Sequence, residues 1–522
     1  MNKTLLLFMH ILIHVTMASS LCSQQLQGRS FFSPRSQSTN LAREMSGWYP
    51  HIYQYGMGTN YGSIVINPAY AHSVRPARIA EFLFGTDTLA ISGSTIENRG
   101  PEDILADYFG LSPQFASVIN ITPKIKNLMV NLDGYWGLDK YCKGLYVRIH
   151  APLVWTRWDV QMWEDIELTG QNIPFAPLYM DEDAVPAATN TFLDVLNGSI
   201  RFGQMQEALA YGKVNGAQTK TGISDVQCTL GWNFILEERG HFGLSLRAAV
   251  PTGTKPESRF LFEPLVGNGH HWELGVGLSA LSLLWEKDGD QALSFCVELN
   301  MMYSFASKQK RSFDLLPNGF GSRYMLVKEF DENGNYTGKL SPLINHTTLD
   351  CKVHIDLQCD ILFMFSYTYN GVVFDIGYNG WIRSREKIAL DGCIPKNRFA
   401  LKGIQNVFFN TGQLSDITQS TATLHGNNLS ESNQILVADA APPVFINTED
   451  LNLHSAGAWR MLTHKIFAYL GYSWFESTLR YKPFIGIGGE IEFEGENERN
   501  SVQVDKPTMS QLGLWLKVGF DC

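Results

Sequence analysis

Past its N-terminal twenty residues the chain has no run of eighteen apolar residues, which excludes membrane-spanning helices. Charged residues make up only 18%, without a Lys or Arg cluster. With a net charge of −10, this excludes the phosphate-binding surface that a nucleic-acid partner needs. The eight cysteines include no Cys-x-x-Cys pair and no zinc spacing. A Gly-x-Ser-x-Gly elbow, a His-Glu-x-x-His pair and a glycine-rich phosphate loop are missing as well. No enzyme chemistry, metal or cofactor is therefore expected.

What is present is alternation. From Leu349 to Tyr367 the odd positions read Leu, Cys, Val, Ile, Leu, Cys, Ile, Phe, Phe, Tyr, while positions 350 to 360 on the even file read Asp, Lys, His, Asp, Gln, Asp. Such a strand has one apolar and one wet face, and at roughly 3.3 Å per residue it reaches ~60 Å, far longer than a globular strand. It runs into Asn370-Gly371, a strong hairpin signal, and Val372, Phe374, Ile376 and Tyr378 continue the apolar file. The same period recurs at Leu145 to Trp155, Val226 to Leu236, Phe242 to Val250, Trp272 to Ala280 and Leu293 to Phe305. Weaker versions lie at Tyr61 to Tyr70, Asn127 to Trp136, Lys465 to Trp474, Tyr481 to Phe493 and Gln511 to Phe520, making twelve strands.

Connection lengths separate a membrane barrel from a soluble sandwich. Segments after the even strands are short (Leu138 to Lys143, Glu237 to Gly240, Lys287 to Asp290, Tyr369 to Gly371, Phe475 to Arg480), and those after the odd strands run long, near 71–124, 156–221, 306–346 and 385–463. Tight turns at one rim and extended loops at the other are the pattern of an outer-membrane barrel, with both ends of the barrel on the periplasmic side. The fold class expected is all-β: a closed antiparallel transmembrane β-barrel of about twelve strands over 61–520, with short helices in its long loops. Within these, 77–84 reads as a helix, 88–92 as a strand, and 191–196 and 204–209 as weak helices.

Residues 1–20 combine Lys3, an apolar stretch and small residues Ala18 and Ser20, the form of a secretory signal. Residues 21–60 read as a periplasmic N-terminal leader, its polar, Ser-rich part from Gln24 to Asn40 being mobile. Cys22 invites lipidation, but Leu21 stands where a small residue is needed. Cys351 and Cys359 are too far apart along one strand to bridge; Cys142 and Cys522 fall at the same rim.

The inward file supplies what a pore needs. The candidate lumen-lining set that sets selectivity is Arg148, Arg247, Glu273, Glu298, Asp350, Lys352, Asp356, Asp360, Asp375, Arg383, Glu490 and Glu492, a mixed lining with modest acidic excess. These charges either act on permeating ions or pair across strands and hold the interior. A barrel of about twelve strands lies between a filled barrel and an open porin, so the lumen is narrow or plugged. Trp136, Trp155, Trp232, Trp272, Trp285 and Trp474 suit interface girdles, while Trp381 falls on the inward parity.

Two resemblances follow. Leu512, Leu514, Leu516, Val518 and Phe520 resemble the terminal strand that marks bacterial outer-membrane barrels for insertion, with Leu516, Val518 and Phe520 as its signal; here Asp521-Cys522 extend past the aromatic. Gly222-Ile223-Ser224-Asp225 and Ala248-Ala249-Val250-Pro251-Thr252-Gly253 resemble outer-membrane proteins of the phenol-degradation (meta-pathway) and hydrophobic-compound transporter type. The resemblance implies a Gram-negative-type outer membrane, small-molecule uptake, and lipid, small or ionic solutes and the barrel-assembly machinery as partners. Besides an outer-membrane channel or transporter with a charged lumen, three readings stay open: a non-conducting structural or adhesive barrel, a membrane-embedded lipid hydrolase using His454-Ser455, and a secreted soluble β protein.

Overall fold

The computed structural model describes residues 27–97, 99–170, 180, 189–403, 422–425, 445–474, 481–494 and 509–521. The signal segment, Cys22, Cys522 and the turn at 475–480 lie outside them. Twelve strands form the trunk: β1 Tyr61–Val74, β2 Lys124–Gly137, β3 Leu145–Asp159, β4 Val226–Glu237, β5 Gly240–Val250, β6 Glu273–Lys287, β7 Gln291–Ser312, β8 Thr348–Tyr369, β9 Val372–Arg383, β10 Met461–Ser473, β11 Lys482–Glu494 and β12 Ser510–Asp521. Each pairs antiparallel with its neighbour in sequence, and β1 pairs with β12 through Ile66↔Val518, so the sheet closes on itself. All twelve coincide with the alternating segments, because an alternating file buries one face only when neighbours keep the same register.

The sidedness is that of a membrane barrel. Ile66, Leu132, Leu246, Phe365, Ile376, Ile466, Ile487 and Val518 point outward and are exposed, while Asn67, Asn131, Asp133, Arg148, Glu298 and Lys517 are buried within. A continuous apolar belt of this size is far beyond what a soluble surface carries. Trp136, Trp232, Trp285 and Trp474 stand exposed toward the short-turn rim and Trp155 and Trp272 toward the long-loop rim; Trp381 is buried inside. At the short rim, Asn370 (φ 46°) and Gly371 (φ 83°) make the both-positive turn that a two-residue hairpin requires.

The long loops build a cap over the other rim. Helix Pro76–Phe84 and strand Thr88–Ser92 match expectation, as does helix Phe192–Leu196; residues 204–209 instead make turns, with Met205 bridging to Leu340. Phe82, Leu83, Phe109, Phe115, Trp158, Phe192, Phe262, Phe313 and Leu326 pack into one apolar core. That core covers the barrel mouth.

Where the sequence suggests a mobile periplasmic leader, the described part of that segment differs: residues 28–53 run through the lumen from cap to short rim. Gln27 is exposed at the cap, Phe32 packs on Phe82, Trp158 and Phe262, and His51 reaches Asp521 at the end of β12. Residues 54–60 then turn at the short rim into β1. The physical reason is width. Twelve strands enclose more space than their own side chains fill, and the leader's Ser, Asn and Arg match a polar wall as hydrocarbon could not.

A short α-helix, α1 Leu41–Met45, and a 3-10 turn at Tyr49–His51 lie in this plug. Asn40 caps α1: its side-chain oxygen accepts the Arg43 N–H at 3.1 Å, while Glu44 accepts the Asn40 N–H at 3.2 Å. Gly47 follows at φ 68°, and a Cβ there would sit 2.2 Å from the Tyr469 ring. Gly47→Ala therefore combines a left-handed backbone, roughly 1–2 kcal/mol by itself, with a clash against the wall. The expected result is faster proteolytic cleavage within 28–53 of the detergent-folded protein, with the barrel intact.

Candidate functional site in the barrel lumen

The plug meets the wall in two tiers of charge. Toward the cap, the Arg35 guanidinium donates to Asp360 on β8 (2.8 Å), Asn379 on β9 (3.0 Å) and Glu492 on β11 (3.3 Å). The Asn40 amide donates to both oxygens of Glu490, at 2.9 and 3.1 Å, and Lys465 on β10 lies 3.2 Å from Glu490. Arg383 donates to the Ser33 hydroxyl at 3.0 Å and to its carbonyl at 3.1 Å.

In the second tier the plug contributes an acid as well as donors. Glu44 of the plug sits 2.7 Å from Arg148 on β3, which also lies 3.5 Å from Asp133 on β2, and His150 Nδ1 is 2.8 Å from Asp133. Lys517 on β12 donates to the backbone carbonyls of Glu44 (2.9 Å) and Ser46, and the Gly47 N–H donates to Asp375 on β9. Tyr49 donates to Glu298 on β7 at 2.9 Å. At the short rim His51 Nε2 lies 3.0 Å from the Ser473 hydroxyl and its ring stacks on Phe484 with centroids 3.8 Å apart.

Of the candidate lumen set, Arg148, Glu298, Asp360, Asp375, Arg383, Glu490 and Glu492 touch the plug directly. Arg247 and Glu273 also face inward: Arg247 donates to Gln227, and Glu273 accepts from Ser304 and Gln358. Asp350, Lys352 and Asp356 need correcting. They point outward, because Asp356 and Leu357 on β8 are both exposed in succession, as are Phe305 and Ala306 on β7, and these two irregular steps flip both strands' parity. Above the step Cys351, Val353 and Ile355 are buried, so the expected lipid and water sides of 350–356 are exchanged.

These outward charges stand beyond the apolar belt, on the loop side. Lys310 lies 3.2 Å from Asp350 and Lys387 2.6 Å from Asp356, and Asp391 lies 2.9 Å from Lys308 and 3.5 Å from Lys352. Hydrogen bonding from Lys308, with the charge of both lysines, holds the Asp391 carboxyl below its usual range.

The leader residues Arg35, Asn40, Glu44 and His51 are absent from the sequence-derived set. Their only sequence signal is polarity next to a barrel whose predicted width leaves a lumen to fill. Leu516, Val518 and Phe520 face outward on β12, as a lipid-contacting terminal strand must. The Thr252 hydroxyl donates to the Ser224 carbonyl and accepts the Val226 N–H, so the two transporter-like motifs interlock at the start of β4. Ser455 is buried and donates to the Asn452 carbonyl while accepting the Asp314 N–H, which ties it to the cap core. Cys142, Cys228, Cys296, Cys351, Cys359 and Cys393 are free thiols.

No family model matches the chain, and no curated protein matches it. Among solved structures, an outer membrane channel from Pseudomonas putida F1 aligns with a TM-score of 0.33 at 10% identity, over 88% of this chain and 96% of that one. The TodX deltaS2S3 mutant monoaromatic hydrocarbon channel aligns with a TM-score of 0.35 at 8% identity, over 92% and 94%. The Ralstonia pickettii toluene transporter TbuX aligns with a TM-score of 0.24 at 7% identity, over 89% of each chain. Similarity at this level leaves function to be read from this chain's own residues.

Proposed function

We propose that this chain is an outer-membrane channel or transporter that its own N-terminal segment holds closed, with short turns in the periplasm and the cap outside. The observation that carries this reading is what fills the lumen. A barrel serving only as a scaffold could be filled by wall side chains. Here the filler is a separate stretch of backbone, held by hydrogen bonds and ion pairs that water and solutes can replace and by apolar packing of Leu41, Met45, Trp48 and Ile52, so its withdrawal leaves a conduit lined by charged groups together with aromatic ones such as Tyr135 and Trp515. Small polar or ionic solutes are the cargo such a lining suits.

The second reading, a non-conducting structural or adhesive barrel, draws on the cap, whose packed apolar core closes the mouth. A reversible lock separates the two. The hydroxyls of Ser38 in the plug and Ser224 in the wall are hydrogen-bonded to each other, close enough for a disulfide after modest adjustment. Ser38→Cys with Ser224→Cys is expected to conduct in planar bilayers when reduced, to fall silent when oxidised, and to recover with dithiothreitol. Conductance unchanged by oxidation would remove plug withdrawal as the route, and silence in both states would favour the scaffold.

A further inference from the structure

The plug's hold on the wall is uneven in kind, and one contact has the form of ligand recognition. Arg35 lies in irregular backbone between Pro34 and Ser36, yet its guanidinium is buried among acceptors from three strands, with its carbon 5.7 Å from the Trp381 ring centre. The wall sets those acceptors without its help. Asn379 donates to Asp360 at 2.6 Å and to the Ile361 carbonyl at 2.8 Å; the Thr463 hydroxyl donates to Glu492 at 2.6 Å; Gln511 donates to the other oxygen of Glu492. Side chains fixed by their own neighbours keep their places when the occupant leaves.

Charge points the same way. Asp360, Glu490 and Glu492 form a group of three carboxylates in which, among the described residues, Lys465 is the one wall ammonium in contact. Once Arg35 withdraws, that group faces the conduit with unmatched negative charge. The acceptors are spread to meet a flat fork of N–H donors beside an aromatic ring, a geometry that suits a delocalised planar cation better than a compact ammonium or a metal ion.

We propose that the Asp360–Asn379–Glu492 site is a recognition site for solutes carrying a guanidinium or similar planar organic cation, and that Arg35 occupies it as an internal stand-in while the channel is closed. This rests on the channel reading above and adds a substrate class to it. The test uses full-length Arg35→Ala, which empties the site and keeps the rest of the plug. Two readouts are taken, with agmatine as guanidinium probe, putrescine as ammonium probe and butylurea as uncharged probe.

In detergent, agmatine is expected to raise the unfolding temperature of Arg35→Ala, butylurea to leave it unchanged, and putrescine to need roughly tenfold higher concentration for the same shift, the difference of about one charge-assisted hydrogen bond. In bilayers, Arg35→Ala is expected to open more often than the parent, to select cations by reversal potential, and to be blocked by agmatine, the block disappearing in Arg35→Ala with Glu492→Gln. Equal potency of agmatine and butylurea, or of agmatine and putrescine, overturns the site in the thermal assay, which needs neither conduction nor a second substitution. Agmatine stabilisation in a protein that never conducts would leave the site standing and sink the channel reading instead.

Discussion

Arg148→Met is expected to destabilise the folded barrel by about 3–5 kcal/mol, the range for removing one partner of a buried ion cluster. The guanidinium lies 2.7 Å from Glu44 and 3.5 Å from Asp133, its carbon is 4.9 Å from the Trp48 ring centre, and all three charged groups are buried. Methionine keeps most of the volume and leaves two carboxylates without the guanidinium they share, Asp133 keeping its 2.8 Å contact with His150. Glu44→Gln in the same chain removes one of those stranded charges and should restore part of the loss; the non-additivity measures the coupling between plug and wall. Denaturant titration of the detergent-folded protein, followed by tryptophan fluorescence and by heat-modifiable migration, gives both numbers. A loss below about 1 kcal/mol would mean that water reaches the cluster and that the plug is only loosely seated.

The second large effect lies one residue from Asp133 and on the opposite face. Leu132 is 48% exposed and pairs across strands with Ile66 and Ala151, in the middle of the outward belt. Leu132→Arg should cost about 2–4 kcal/mol in a bilayer, the range for a cation placed near the midplane of a barrel's lipid face. Two outward charges on β8 provide the control. Lys352→Ala and Asp356→Ala, outward but beyond the belt, should each stay within roughly 0.5 kcal/mol. Unfolding in lipid vesicles reads all three. If Leu132→Arg is neutral, the belt does not sit in hydrocarbon and the membrane assignment fails.

These two predictions rest on information of different origin. That Leu132 faces lipid and Asp133 faces inward is legible from alternation: period two assigns each residue to a face as soon as one face is known to be apolar. The twelve strands, their order and the short and long rims follow from the same local pattern, and so does the inward parity of Trp381. That Arg148 is held by Glu44 is not legible. The two are 104 positions apart, and nothing local distinguishes a leader that folds back into a lumen from one that hangs free. Residues 350–356 fail for a related reason. Two consecutive outward residues on β8, matched by two on β7, leave the sequence alternation unbroken while reversing its meaning, because a step in register is a property of the strand pair and not of either strand.

The sequence by itself therefore determined a closed twelve-strand barrel with apolar residues outside and charge inside, since strand periodicity and turn chemistry are local and repeat often enough to reinforce one another. Only the tertiary structure decided what occupies the interior, which of the inward charges are matched and by whom, and where β7 and β8 exchange faces. Those outcomes depend on how much space twelve strands enclose and on which distant segment carries donors and acceptors to fill it, quantities that exist only once the ring is closed.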